Sequence, residues 1–310
     1  MKRTLSVIVP VYNSEASLLE LVNRLRPVLQ TIADDAELIL INDASTDKSW
    51  EIVQQLAKQN AWIRGINLMR NYGQHNAVLC GIRFARFEII VTMDDDLQHP
   101  PEELPRLLIA LEQGCDVVYG IPEREQHGLA RDLASQLTKL ALQHAMGAET
   151  ARNVGAFRIF RTDVRNAFSS YHGPYVALDV LLTWGARSFA AVRVRRDPRK
   201  HGRSGYSARK LVVTALNLTT GFSTLPLHIA SFLGFLFTAF GLSVLAYVIG
   251  RYLIEGGSVP GFPFLASLIA IFSGVQLFAL GIIGEYLARI HLRTMDRPPY
   301  VVRSVTEPSE

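Results

Sequence analysis

Residues 89–102 read IIVTMDDDLQHPPE: a short apolar run stops abruptly at Asp94, Asp95 and Asp96, with Gln98 two residues further and Pro100-Pro101 after it. A continuous apolar run is how a buried parallel strand reads. In open α/β sheets ligands gather beyond the carboxyl ends of the strands, so the three carboxylates stand where a ligand would. Adjacent carboxylates repel one another unless a cation sits among them. Their hard oxygens suit Mg²⁺ or Mn²⁺, which commonly take one or two carboxylates and complete an octahedron with substrate phosphates. The stretch therefore predicts a metal-bound diphosphate at a strand end. A structural alternative stays open, an acidic turn in which Asp96 caps the helix that the proline pair initiates.

Upstream, residues 5–11 and 38–41 are further β-branched runs, and they end in Tyr12-Asn13 and in Asn42-Asp43-Ala44-Ser45 with Asp47. Residues 18–29 carry apolar positions at helical spacing, with Ser14 or Ser17 as N-cap. A helix over 48–59, a strand over 65–68, a helix over 76–85 and the acid-ended strand over 88–93 follow. Such alternation predicts a doubly wound, mostly parallel sheet. Three polar clusters at strand ends converge on one edge and form one site: Asp43 could accept hydrogen bonds from a base or ribose, and Tyr12 could cover a base face. Asp43 and Asp47 fit helix caps as well. No Gly-x-Gly-x-x-Gly follows the first strand and no Gly-x-x-x-x-Gly-Lys is present, so dinucleotide and P-loop readings have no support. His75 and His99 flank the site as metal ligands, proton carriers or hydrogen-bonded neighbours, without the spacing of a zinc motif.

The apolar residues of the 310-residue chain are unevenly spread. Between Ile229 and Ile254 the one charged residue is Arg251, and 256–284 hold none. Each stretch exceeds the roughly 20 residues that span a bilayer's hydrocarbon core. Two transmembrane helices, about 229–254 and 262–287, are expected, joined by a Gly/Pro-rich connector into a hairpin within 228–288. Arg199, Lys200, Arg203, Arg209 and Lys210 precede it, Arg289, Arg293 and Arg297 follow it, and the connector has no basic residue. The positive-inside rule then places both termini in the cytoplasm. Residues 206–227, with apolar positions among polar ones, read as an interfacial amphipathic helix or as an ordinary packing helix. Glu285, at the end of the second span, is a functional candidate or a partner for Arg289. The N-terminal apolar run is too short for a signal peptide. Cys80 and Cys115 read as small buried apolar side chains. The net charge of +4 gathers beside the membrane, which favours anionic lipid as its partner, and no nucleic-acid motif is visible.

Taken in order, Pro10-Val-Tyr-Asn13, Asn42-Asp-Ala-Ser-Thr-Asp47, Arg70-Asn-Tyr-Gly-Gln-His75, Asp94-Asp-Asp-Leu-Gln-His-Pro-Pro-Glu102 and Gly281-Ile-Ile-Gly-Glu-Tyr-Leu-Ala-Arg289 resemble the family 2 glycosyltransferases that charge a polyprenyl phosphate with one sugar. The resemblance runs over nearly the whole chain. It is strongest to bacterial undecaprenyl-phosphate glucosyltransferases and 4-deoxy-4-formamido-L-arabinose transferases, and extends to dolichyl-phosphate mannose synthase. It implies a GT-A catalytic domain over 1–205, the interfacial helix, the hairpin, and a cytoplasmic tail over 289–310. The implied reaction is inverting transfer of one sugar from a nucleotide-sugar, UDP-linked, to undecaprenyl phosphate at the cytoplasmic face of the bacterial inner membrane, for cell-envelope glycan or lipid A modification.

By the same resemblance, Pro10, Tyr12, Asn13 and Asp43 contact the nucleotide, Asp94 and Asp95 lie near the donor, and Asp96 and Gln98 hold Mg²⁺ or Mn²⁺. Arg199 matches the phosphate clamp of the basic loop Arg199-Lys-His-Gly-Arg-Ser-Gly205. Three positions depart from the family pattern. Ser14 replaces the usual acid, with Glu15 adjacent; Pro122 replaces an arginine; Gly205 replaces the lysine of the basic loop, leaving Arg203, Arg209 or Lys210 to supply its charge. Relatives imply a homo-tetramer. Two alternatives remain: a processive polysaccharide synthase, although no Gln-x-x-Arg-Trp occurs, and a catalytically weakened membrane subunit that binds nucleotide-sugar or polyprenyl phosphate.

Overall fold

The structure is a computed structural model that describes residues 3–123, 154–173, 175–198, 221, 224–255 and 261–306. Arg199, Arg203, Gly205 and all but a few residues of the 206–227 segment lie outside the described residues.

The chain alternates as its hydrophobic runs predict: β1 (Thr4–Val11), α1 (Leu18–Ile32), β2 (Asp35–Asn42), α2 (Ser49–Gln59), β3 (Ile63–Leu68), α3 (Gln74–Phe84) and β4 (Ile89–Thr92). Then come a 3-10 turn at Pro101–Glu103, α4 (Leu104–Glu112), β5 (Val117–Pro122), β6 (Arg158–Arg161), a second 3-10 segment at Thr162–Phe168, α5 (Leu178–Gly185) and β7 (Phe189–Val194). The strands form one sheet in the order β7-β5-β6-β4-β1-β2-β3-β8, where β8 is Val302–Thr306. Strands β1 to β4 pair in parallel, and β6 and β8 run antiparallel to their neighbours.

Side chains alternate across a strand, so β1 serves two cores. Leu5, Val7, Val9 and Val11 pack with α1, α2 and α4 on one face, while Ile8 meets Ile39, Ile41 and α3 on the other. Each such fully buried side chain stabilises the fold by about 1.5–3 kcal/mol. Helix α3 lies so close to the sheet that a Cβ at Gly81 would collide with the Ile8 and Ile41 side chains. Register then sets the site: Ile8 pairs with Thr92 and Val11 with Asn42, so the ends of β1, β2 and β4 open on one edge.

Helices α6 (Leu225–Glu255) and α7 (Phe262–Thr294) are both long and apolar enough to cross a membrane. A buried helical pair of a soluble protein would hide its apolar faces, yet Phe235, Tyr252 and Leu277 are all more than half exposed. Each helix touches the other, with Phe237 edge-on to Phe272. Glu285 pairs with Arg289 one turn on, at 2.8 Å, which matches the pairing alternative for that acid.

Two features depart from the sequence expectation. Helix α7 continues past residue 287 to Thr294. Within the segment expected as a tail, β8 joins the sheet antiparallel to β3, with the Gly65 N–H donating to the Thr306 hydroxyl at 2.7 Å. The chain leaving α7 therefore rejoins the sheet built from the N-terminal strands.

Candidate active site

The strand ends enclose a cleft of about 730 Å³, lined by Pro10–Ser17, Asp43, Asp47, Asn71, Gly73, Gln74 and Asp94–Asp96. Pro10, Tyr12, Asn13, Glu15, Asp43, Asp94, Asp95 and Asp96 thus meet in one place. Gln98 lies just outside the lining, and Arg199 and Arg203 are outside the described residues.

Each of the three loops turns through a non-glycine residue in the left-handed region: Asn13 (φ 53°), Ala44 (φ 54°) and Leu97 (φ 57°). For Ala and Leu this conformation costs about 1–2 kcal/mol, and burial of the Leu97 side chain helps offset it. Such strain gathers where loops must aim side chains into a site.

The loop after β1 is clasped to the loop after β2. The Asn13 side-chain oxygen accepts the Thr46 N–H at 2.8 Å, and Glu15 Oε2 accepts the Lys48 N–H at 3.0 Å. In return Asp47 Oδ2 accepts the Glu15 N–H at 3.1 Å, while its Oδ1 accepts the Ser49 N–H at 3.0 Å. Asp47 thereby ties the first N–H of α2 to the loop after β1 while itself lining the cleft. Burial opposes ionisation of Asp47, but the Ser49 hydroxyl and N–H together with the Glu15 N–H bring its pKa below the usual carboxylate range. Tyr12 stays half exposed and lines the cleft.

Asp43 does not cap α2. Its two oxygens accept the Tyr72 N–H at 2.7 Å and the Gly73 N–H at 2.8 Å, latching the loop after β3 to the end of β2. Gly73 turns there at φ 91°, where an L side chain would be strained. Burial raises the Asp43 pKa, and the two N–H groups act against that rise.

The aspartates differ from one another. Asp94 Oδ1 accepts from the Gln74 amide at 2.6 Å. Asp95 is pushed up to about 6, first by burial and then by the charge of Asp96, while the Ser14 hydroxyl and the Tyr12 backbone act in the other direction. Asp96 Oδ1 accepts the Gln98 N–H at 3.0 Å, closing a local turn. It does not cap a helix, because the helical turn begins only at Pro101, after Pro100.

Gln98 is held from both ends: its side-chain oxygen accepts from Arg196 at 2.9 Å and its carbonyl accepts the Asp197 N–H at 2.9 Å. His99 stacks on Phe157 with 5.3 Å between ring centroids, and burial followed by the Arg196 charge lowers its pKa. His99 is thus a ring packed beside the site, and His75 stands outside the cleft lining.

Among the described residues no three His, Cys, Asp or Glu side chains are grouped so as to hold a metal alone. The donor set instead fits a hard divalent ion completed by ligand oxygens. Carboxylates crowded at one end of an open cleft, one of them raised in pKa first by burial and then by its neighbour's charge, supply the negative field such an ion neutralises.

Sequence reasoning assigned no role to Asn71, Gln74 or Arg196. For the first two the signal was present in the polar run Arg70–His75, which follows a parallel strand just as the other clusters do.

The family model described as glycosyl transferase family 2 matches residues 6–168. The undecaprenyl-phosphate 4-deoxy-4-formamido-L-arabinose transferase of Shewanella sediminis is 34% identical over 303 residues, spanning 97% of this chain and 92% of that protein. The Aeromonas hydrophila protein of the same name is 33% identical, spanning 99% of this chain and 97% of its own length. Among solved structures, glucosyl-3-phosphoglycerate synthase from Mycobacterium tuberculosis, in complex with Mn²⁺, UDP-glucose and phosphoglyceric acid, superposes with a TM-score of 0.52. It is 18% identical and spans 70% of this chain and 80% of its own, a likeness of fold.

Proposed function

The chain belongs to glycosyl transferase family 2 and is a glycosyltransferase, and on that premise we propose that it transfers one sugar from a UDP-sugar to undecaprenyl phosphate at the cytoplasmic face of the membrane. The observation that carries this reading is the pairing of an acidic strand-end cleft with an apolar hairpin whose second helix leads directly into β8 of the same sheet. A water-soluble donor and a lipid acceptor need such an arrangement. The arginines on both outer flanks favour the cytoplasmic side for that sheet. The relatives' names supply the acceptor class.

In the proposed reaction the bond from the anomeric carbon to the donor's β-phosphate oxygen breaks, and a lipid phosphate oxygen bonds to that carbon from the opposite face. The nucleoside diphosphate leaves with the electron pair, and configuration inverts. A lipid phosphate is already ionised near neutrality, so no strong general base is assigned. Asp96 and Gln98 are proposed to hold Mg²⁺ or Mn²⁺, which when bound would supply charge stabilisation at the leaving diphosphate.

The protein's own residues position the reactants. Tyr12 offers an aromatic face to the base, and Asp43 orders the loop that walls the donor. Asp94, steadied by Gln74, and Asp95 face the sugar-phosphate end. Arg199 and Arg203, in the basic loop, are proposed to align the lipid phosphate, a proximity contribution that bidentate guanidinium contacts suit.

A donor screen tests the reading. Purified chain in lipid nanodiscs is mixed with individual UDP-sugars, and UDP release is followed with and without undecaprenyl phosphate. Release that needs both the lipid and a divalent ion, and is lost in Asp96→Ala, is expected; release indifferent to the lipid would overturn the acceptor assignment.

A further inference from the structure

On the side of the catalytic domain next to the hairpin, one loop meets the end of α7 with two aromatic side chains. The Arg289 guanidinium lies over the Tyr175 ring, 4.8 Å from its centre. One turn along, the Arg293 charge acts on the Tyr171 hydroxyl, whose pKa burial raises and that charge lowers. The loop is held in shape from inside: the Tyr171 hydroxyl donates to the Tyr175 carbonyl at 2.7 Å, and Arg83 of α3 donates to the Tyr171 carbonyl at 2.6 Å. Trp184, near the end of α5, stands edge-on to Tyr171 with 5.5 Å between ring centroids. Although the loop is fixed, Tyr175 is 38% and Trp184 48% exposed.

We propose that Tyr171, Tyr175 and Trp184, with Arg289 and Arg293, form a ledge by which the catalytic domain rests on anionic phospholipid headgroups beside the hairpin. The ledge rests on the reading of α6 and α7 as a membrane hairpin. Its depth follows from the helix. Leu287, 59% exposed, belongs to the apolar face of α7, and Arg289 stands about 3 Å further along the axis at about 1.5 Å per residue. From Arg289 to Arg293 is about 6 Å, close to the roughly 5–7 Å thickness of one headgroup layer. Tyrosine and tryptophan, apolar in body and polar at one end, concentrate at that level. Arg289, paired with Glu285 and stacked over Tyr175, fastens the loop to α7, and the exposed Arg293 supplies the complement to lipid phosphate. The level of the patch along α7, just past the apolar face, selects lipid headgroups as its occupant; a second copy of the chain is the outcome that protection from both probes would report.

The ledge has a use in the proposed reaction. Arg83 also lies over the Tyr300 ring, at 5.6 Å, just before the strand that joins β3. The ledge is thus tied to α3, whose first residue, Gln74, holds Asp94. Seating the ledge would fix the height of the cleft above the bilayer.

The test uses the full chain labelled with 5-fluorotryptophan in nanodiscs containing phosphatidylglycerol, with Trp184→Phe identifying its ¹⁹F signal among those of Trp50, Trp62 and Trp184. A lipid spin-labelled near the headgroup should broaden the Trp184 signal several-fold more than the other two, and an aqueous gadolinium chelate should broaden it less than in detergent-free water-exposed controls. Arg293→Gln should reduce the lipid-induced broadening. Broadening by gadolinium but not by lipid, or protection from both as at a protein contact, would overturn the ledge. Co-elution of the chain with the disc reports separately on the hairpin, so failure of one reading is distinguishable from failure of the other.

Discussion

Arg196 donates to the side-chain oxygen of Gln98 at 2.9 Å, across 98 residues of sequence, and the next residue's N–H fixes the Gln98 carbonyl. The strand extension that leads into the basic loop is thus fastened to the acidic loop. A guanidinium on Gln98 and a cation shared by Asp96 and Gln98 compete for one oxygen and repel. Arg196→Met should therefore tighten Mn²⁺ binding about three- to tenfold, a change of about 1 kcal/mol. Arg195→Met, which removes equal charge from a side chain paired with Asp197 at 3.1 Å, should change it less. Mn²⁺ titration followed by electron paramagnetic resonance reads both; equal shifts in the two variants would refute the competition.

The raised Asp95 carboxyl makes metal binding depend on pH. With a folded pKa of about 6 against an ordinary 3.8, the metal-free fold binds the proton more tightly than the unfolded chain. Its contribution to stability is present below 3.8 and lost as pH rises through about 6. Divalent ions act in the opposite direction, so Mn²⁺ affinity should fall as pH drops below about 6 and the ion should displace a proton there. Asp95→Asn should flatten that profile. A Mn²⁺ affinity indifferent to pH between 5 and 7 in the unsubstituted chain, measured calorimetrically in several buffers, contradicts it.

Asp43→Asn turns an acceptor into a donor opposite the Tyr72 or Gly73 N–H. Losing a charge-assisted hydrogen bond in a buried place costs about 1.5–3 kcal/mol. Both thermal stability and UDP affinity should fall, because the latched loop lines the cleft. Unfolding monitored by circular dichroism together with UDP calorimetry checks the pair; lowered affinity at unchanged stability would instead mean that Asp43 acts only on the nucleotide.

Gly81→Ala places a methyl group against the Ile8 and Ile41 side chains beneath α3. Overpacking of a filled core costs about 1–3 kcal/mol. A lowered midpoint of thermal unfolding, with hairpin insertion unaffected, is the expected result, and an unchanged midpoint would mean that α3 sits further from the sheet.

Removing β8 by truncation after Arg297 should leave the chain in the membrane but weaken donor binding. The strand covers β3, whose following loop carries Asn71 and Gly73 into the cleft, and the Met69 N–H donates to the Val301 carbonyl at 2.9 Å. Unaltered UDP affinity in the truncated chain would show that the edge strand does not support the loop.

The sheet was legible because buried parallel strands leave unbroken apolar runs, and the site was legible because each run stops at a polar cluster. Tyr12, Asp43 and Asp94–Asp96 could be placed together from that alone. What the order of residues concealed depends on distant pairing. Val302–Thr306 is short and polar enough to read as a tail, and only its position beside β3, with Gly65 meeting Thr306 across 241 residues, makes it a strand. The contact of Arg196 with Gln98 and the latch of Asp43 on Tyr72 and Gly73 are likewise long-range. The left-handed turns at Ala44 and Leu97 left no trace in residue type, since neither is a residue that favours them.

Mass spectrometry of the lipid product tests the central claim most directly. Purified chain, divalent ion, undecaprenyl phosphate and the UDP-sugar chosen by the donor screen are incubated, and the lipid fraction is analysed. The account predicts an undecaprenyl species heavier by one sugar residue with no added phosphate, with inverted anomeric configuration, and absent with Asp96→Ala. A lipid carrying an added sugar phosphate, a growing series of sugars, or no sugar from any donor would contradict it.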